Sequence, residues 1–204
     1  MAARLRTLAI DYRRAPEHPY PAAHDDALAT WRFLRSQGYP ANGIAVGGDS
    51  AGGNLAAVVA LTARDSGDLP IAFQLLIYPV TDQHRTAPSH TTNGQGYLLT
   101  TETMDYFTGH YIADPAQYRD WRASPLLHPS LAGLPPALVL TAGYDPLRDE
   151  GAAYAEKLTA AGSGAVYVCF ERQIHGFITM GKVLDEANAA VALCSAELKR
   201  ALRG

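Results

Sequence analysis

Apolar positions along this chain follow two alternating rhythms. Apolar-rich runs fall at residues 5–12, 44–47, 71–78, 137–142 and 165–170, those at 71–78 and 137–142 nearly continuous. Runs of that length and density predict strands covered on both faces of a sheet. Between them lie longer helical stretches: 22–37, with the period of an amphipathic helix, 50–65, rich in alanine, 151–161 and 185–202. Gly38, Gly67 and Gly162 follow three of these stretches, where a glycine ends a helix most easily. Strand alternating with helix predicts an α/β fold, a mostly parallel sheet flanked by helices.

Residues 83–135 interrupt the rhythm. They carry Asn93-Gly94, Gly96, Gly109 and several prolines and aromatics, with short helical patches such as 101–111. A long excursion inside a compact domain is usually a lid or a pocket wall. We read residues 1–204 as a single domain with 83–135 as a partial cap, with no internal repeat or low-complexity tract.

Composition narrows the class. Hydrophobic residues make up 48% and charged residues 18%, an ordinary globular balance. The net charge of -3 provides no basic footprint for nucleic acid, and no apolar run is long enough to span a bilayer. The opening residues 1–10 make a poor leader, cut off by Asp11, so cytoplasmic residence is expected. The histidines show no HExxH-type spacing, so no metal is expected, and Cys169 and Cys194 sit in apolar patterns that predict buried thiols.

The strongest chemical signal is Gly48-Asp49-Ser50-Ala51-Gly52-Gly53, a GxSxG motif between a predicted strand and a predicted helix. A sharp strand-to-helix turn needs small residues on both sides and pushes Ser50 out at the C-terminal edge of the sheet. The backbone N–H of Ala51 and the positive end of the following helix then face any negative charge that develops there. A serine nucleophile needs a base, and the base needs a carboxylate to fix its tautomer. In the order serine, acid, histidine, Asp145 follows the strand at 137–142 and His175 follows the strand at 165–170. Asp82 is a competitor for the acid. Asp149 and Glu150 are read as solvated or helix-start charges, Asp49 as a pocket or scaffold residue, and the remaining histidines as surface residues.

The chain resembles the bacterial hormone-sensitive-lipase-like esterases over nearly its whole length. The stretches that carry the resemblance are 11–19 (DYRRAPEHP), 48–54 (GDSAGGN), Tyr78-Pro79, Ser124-Pro125-Leu126, 134–137 (LPPA), 143–151 (GYDPLRDEG) and 174–177 (IHGF). The resemblance implies an α/β-hydrolase fold with Ser50 as nucleophile, His175 as base and Asp145 as its orienter. It implies hydrolysis of short-chain carboxylic esters through an acyl-enzyme, without a cofactor, and adds Tyr78 to Asp49 as a pocket candidate. Arg14 stands where the family usually has an aliphatic residue. The family's His-Gly-Gly-Gly oxyanion motif has no counterpart, since the only adjacent glycine pairs are Gly47-Gly48 and Gly52-Gly53. By that comparison the chain lacks the family's first strands and the N-terminal part of the cap, leaving Ala51 alone of the usual oxyanion donors. Weakened esterase activity is therefore expected, and the alternative is a silent fragment with a binding or assembly role. The resemblance also implies a one-strand gap between 5–12 and 44–47. Closing it, by pairing the two or by adding another chain, predicts five parallel strands and a dimer or higher homo-oligomer.

Overall fold

The computed structural model describes residues 5–40, 43–67 and 71–202; the first four residues weighed as a leader lie outside them. Strands β1 (Ala45–Asp49), β2 (Phe73–Ile77), β3 (Ala137–Tyr144) and β4 (Ala165–Ile174) pair in that order, all parallel. Helices α1 (Ala22–Ser36), α2 (Ala51–Asp65), α3 (Pro88–Thr92), α4 (Thr101–Tyr111), α5 (Arg148–Ala160) and α6 (Asp185–Leu202) complete the order of regular elements.

Side chains of a strand point to alternate faces, so β3 feeds two cores. Val139 joins Leu76 of β2, Leu55, Val59 and Leu61 of α2, Trp31 of α1, and Tyr154 and Leu158 of α5 on one face. Leu138 and Leu140 join Phe73, Phe177 and the small residues Ala187, Ala190 and Cys194 of α6 on the other. The three-and-four spacing of that α6 trio is its buried stripe. Truncating a wholly buried leucine such as Leu138 to alanine costs about 2–5 kcal/mol.

One predicted strand is absent from the sheet. Residues 5–14 have no regular structure, and Leu8 and Ile10 are 56% and 39% exposed. The segment does not move across to β1. Its end is instead tied to α1, where Asp26 accepts from the backbone N–H of Arg13 at 2.8 Å and from its guanidinium. The described sheet therefore has four strands, not five. A run of apolar residues becomes a strand only beside a ladder partner, and the apolar pattern of 5–12 does not supply one.

The excursion at 83–135 folds as α3, α4 and short 3-10 turns at Pro115–Arg119 and Pro125–Leu127. Buried and half-buried polar contacts stitch it to the body. Asn54 of α2 donates to Ala123 O at 3.0 Å, and Lys157 of α5 donates to the carbonyls of Leu126 and His128, both at 2.7 Å.

Candidate active site

The sheet register assembles the site. Asp49 lies opposite Ile77, and Tyr144 opposite Ile174, so the next residue of each strand emerges on one edge. Those residues are Ser50, Tyr78, Asp145 and His175. At β1 the chain turns directly into α2, and Ser50 sits at the corner with φ 54° and ψ -118°. Positive φ is costly for a residue with a side chain, and such strain persists only where the surroundings enforce it. Gly48 permits the turn: a Cβ there would lie 2.4 Å from the carbonyl carbon of Gly52.

The three predicted residues meet. The Ser50 hydroxyl lies 3.0 Å from His175 Nε2, and His175 Nδ1 lies 2.7 Å from Asp145 Oδ2. A carboxylate only accepts, so Nδ1 carries the proton and Nε2 is left to accept from the serine. Asp145 is fully buried, and its other oxygen accepts the backbone N–H of Leu147 at 2.9 Å. The ring of Tyr78 packs under His175 with centroids 4.4 Å apart. Tyr78 is wholly buried, with its hydroxyl unpartnered, so it supports the imidazole from beneath instead of facing the pocket. Burial, followed by Asp49 and then Asp145, pushes that hydroxyl's pKa up.

The other candidates fall elsewhere. Asp82 turns to its neighbour, accepting from the backbone N–H of His84 at 2.9 Å and lying 2.8 Å from its Nδ1. Asp49 is exposed at the end of β1, and its charge, after burial, raises the pKa of Tyr12. Ala51 opens α2, and the first amides of a helix have no intrahelical acceptor. Asp149 accepts the N–H of Ser89 at 2.9 Å and pairs with Arg148.

Three expectations need correcting. Glu150 is not a solvated charge: it is buried, accepts the N–H of Thr81 at 2.6 Å and lies 2.6 Å from His90 Nε2. Burial holds its carboxyl above the ordinary range. His24, His90 and His128 are buried too, each engaging a polar partner that a one-dimensional pattern does not display. Of the two free thiols, Cys194 is buried and raised to about 11 by that burial, while Cys169 is only half-buried, on the edge strand β4.

Sequence reasoning missed a second layer. Ser89 and Asn93, read only as part of a loop-rich excursion, bond to the segment that carries Asp145. Leu98 reaches the site as well: a Cβ on Gly176 would lie 3.4 Å from its Cδ2. The Asn93-Gly94 pair signalled a turn, but nothing in its spacing pointed to Asp145. Among the described residues, no group of three or more His, Cys, Asp or Glu side chains is placed to hold a metal ion, and no helix is long and apolar enough to cross a membrane.

A parallel sheet with a strained serine at a strand-to-helix corner, hydrogen-bonded to a histidine that is bonded in turn to a buried carboxylate, defines an α/β hydrolase. The chain belongs to the alpha/beta hydrolase fold family, whose profile matches residues 1–179. It is 42% identical over 202 residues to carboxylesterase NlhH of Mycobacterium tuberculosis, covering 96% of this chain and 63% of that protein. Ethyl acetate hydrolase of Pseudomonas putida is 38% identical over 200 residues, with 96% and 63% covered. Among solved structures, the thermostable carboxylesterase EstE1, cloned from a metagenomic library, superposes with a TM-score of 0.90 at 43% identity, covering 94% of this chain and 67% of that one. The chain thus spans just under two thirds of the length of the curated relatives named here.

Proposed function

We propose that this chain hydrolyses short-chain carboxylic esters, with Ser50 as nucleophile, His175 as general base and Asp145 as the acid that orients it. The observation that carries the reading is the continuous hydrogen-bonded path from Ser50 Oγ through His175 to Asp145, at 3.0 and 2.7 Å. Ser50 Oγ attacks the ester carbonyl while its proton passes to His175 Nε2. The imidazolium then protonates the departing alcohol, leaving an acyl-enzyme. Water, deprotonated by the same nitrogen, attacks the acyl carbon and releases the acid with Ser50 restored. The sequence needs no metal or organic cofactor, because the imidazole handles every proton. The ester class is supported by the relatives, which include an ethyl acetate hydrolase and a carboxylesterase.

In this reading residues 83–135 act as a partial cap on a single domain, supported by Leu98 lying beside Gly176. Turnover is weak for the chain as it stands. The oxyanion is met by the Ala51 N–H, without a His-Gly-Gly-Gly loop in the sequence, and losing one such donor costs on the order of 10²–10³ in turnover. The same observation favours the second reading, a silent hydrolase chain with a binding or assembly role. Residence in the cytoplasm is supported by the two unpaired cysteines, and assembly into a dimer or larger by the two outer strand edges that have no neighbour among the described residues.

The test is release of p-nitrophenol from p-nitrophenyl acetate by this chain and by Ser50→Ala, with organophosphonate labelling of each. Hydrolysis and labelling by the parent, both abolished in Ser50→Ala, support the esterase. Labelling without turnover supports the silent reading, and equal activity in the two proteins sinks the assignment of Ser50.

A further inference from the structure

The segment that carries Asp145 leaves the sheet before it reaches the catalytic carboxyl. The β3–β4 register shifts between Ala142 and Tyr144. At that point Gly143 presses against β4, where a Cβ would lie 2.0 Å from Glu171 O. Past the shift the Tyr144–Ile174 pair is the last of the ladder, and the carbonyls of Gly143, in the irregularity, and Asp145, beyond the strand, take donors from outside it. Asn93, buried at the C-terminal end of α3, supplies them: its Nδ2 lies 3.2 Å from Gly143 O and 3.2 Å from Asp145 O. The two hydrogens of one planar amide thereby span the residues on either side of Tyr144.

The rest of α3 follows the same segment. Ser89 donates its hydroxyl to Pro146 O at 2.6 Å, and its N–H to Asp149 at 2.9 Å. His90 lies 2.6 Å from Glu150. Arg148 also reaches both carbonyls, its guanidinium donating to Gly143 O and its backbone N–H to Asp145 O, each at 3.1 Å, but it belongs to the segment being held and is engaged with Asp149. Asn93 is the donor that comes from another part of the chain. It is in turn fixed from the cap side, where Thr101 at the start of α4 donates its N–H to Gly94 O at 2.8 Å.

We propose that Asn93 is a positioning residue for the reaction, holding the Asp145 backbone so that its carboxylate meets His175 Nδ1, and linking the cap to the triad. The proposal rests on the triad reading given above. Misplacing a catalytic group by a fraction of an ångström is enough to lower turnover without touching substrate binding.

The experiment compares Asn93→Ala and Asn93→Asp, which keeps the shape but lacks both donor hydrogens, with Thr92→Ala on the exposed face of the same helix. Three readouts are taken: kcat and KM for p-nitrophenyl acetate, the downfield proton resonance of the His175 Nδ1–H, and urea unfolding. Both Asn93 variants are expected to lower kcat about tenfold with KM within about twofold. They should also shift or broaden the imidazole resonance while remaining folded, whereas Thr92→Ala matches the parent. A resonance and kcat unchanged in both Asn93 variants overturn the proposal. So does a loss of activity that merely tracks the unfolded fraction, including failure of both variants to fold. If the parent hydrolyses no ester, the functional reading falls, and the resonance alone decides the role of Asn93.

Discussion

At the scale of single residues, position relative to the strand ends separates the two aspartates that compete for the acid. Asp145 is the first residue past β3 and faces the first residue past β4, while Asp82 lies five residues beyond β2 and closes on His84. Asp145→Asn should therefore lower kcat on p-nitrophenyl acetate by on the order of 10³–10⁴, because an amide cannot hold His175 in the tautomer that accepts from Ser50. Asp82→Asn removes only a contact with His84 and should leave kcat within a few-fold. Similar losses from both would leave the acid unassigned, and a larger loss at Asp82 would reverse it. Ser50→Ala and His175→Ala are expected to abolish both turnover and phosphonate labelling with little change in urea midpoint. Ser50 makes no side-chain cap to α2, so its truncation removes no helix support, and because the His175 side chain is only 12% exposed its variant is compared at matched folded fraction.

At the scale of elements, the apolar rhythm located four of the five expected strands and every long helix, because those segments pack at least part of their apolar residues against the two cores, largely buried in β2 and β3 and only half-buried in β1 and β4. It failed where structure depends on a partner outside the segment. The 5–12 run has the composition of a strand and no ladder beside it, whereas β4 runs on to Ile174 with exposed and charged residues because β3 pairs with it. Serine, acid and base were legible because each follows a strand. Ser89, His90 and Asn93 were not, because their partners lie some fifty to sixty residues away across the fold. His24 on α1 is the same kind of case, 3.0 Å from Asn54 Oδ1 and 3.2 Å from the Tyr111 hydroxyl. Burial lowers its pKa from 6.5 to about 4. The unfolded chain then takes up a proton as pH falls through 6.5 while the folded chain does not, so stability declines from there down to about pH 4 and the decline then levels off. The shift corresponds to on the order of 3 kcal/mol. Glu150, held above its ordinary range, acts in the opposite sense, so the comparison is made between the parent and His24→Gln, in which Glu150 is common to both. Urea titrations from pH 7.5 to 4 should show a shallower loss of stability for His24→Gln, and parallel curves would exclude His24 as the group responsible.

At the scale of the whole molecule, the sheet ends on two strands whose outer edges have no neighbour among the described residues. In β1 the carbonyl of Ile44 accepts from Ala72 and the N–H of Ser50 donates to Ile77, so the even positions turn toward β2. The alternation of a parallel ladder then directs the backbone groups of Ala45, Gly47 and Asp49 outward. An exposed edge of this kind is a template for another strand, and the charged or bulged devices that usually blunt an edge are confined here to Asp49. Leu8 and Ile10, exposed on the segment that does not enter the sheet, add apolar surface to the molecule. We expect a dimer or larger assembly in solution, with the edge of β1 as one contact and that of β4 as a second route. Ala45→Pro separates these routes: it removes one outward N–H at the first residue of β1 and leaves the even-numbered ladder bonds to β2 in place. Light scattering of the parent should give a mass at least twice that of the chain. Ala45→Pro should lower that mass if β1 is the contact, and leave it unchanged if β4 is. A parent that elutes as a stable monomer across a hundredfold range of concentration would remove both routes and show that the open edges are tolerated in water.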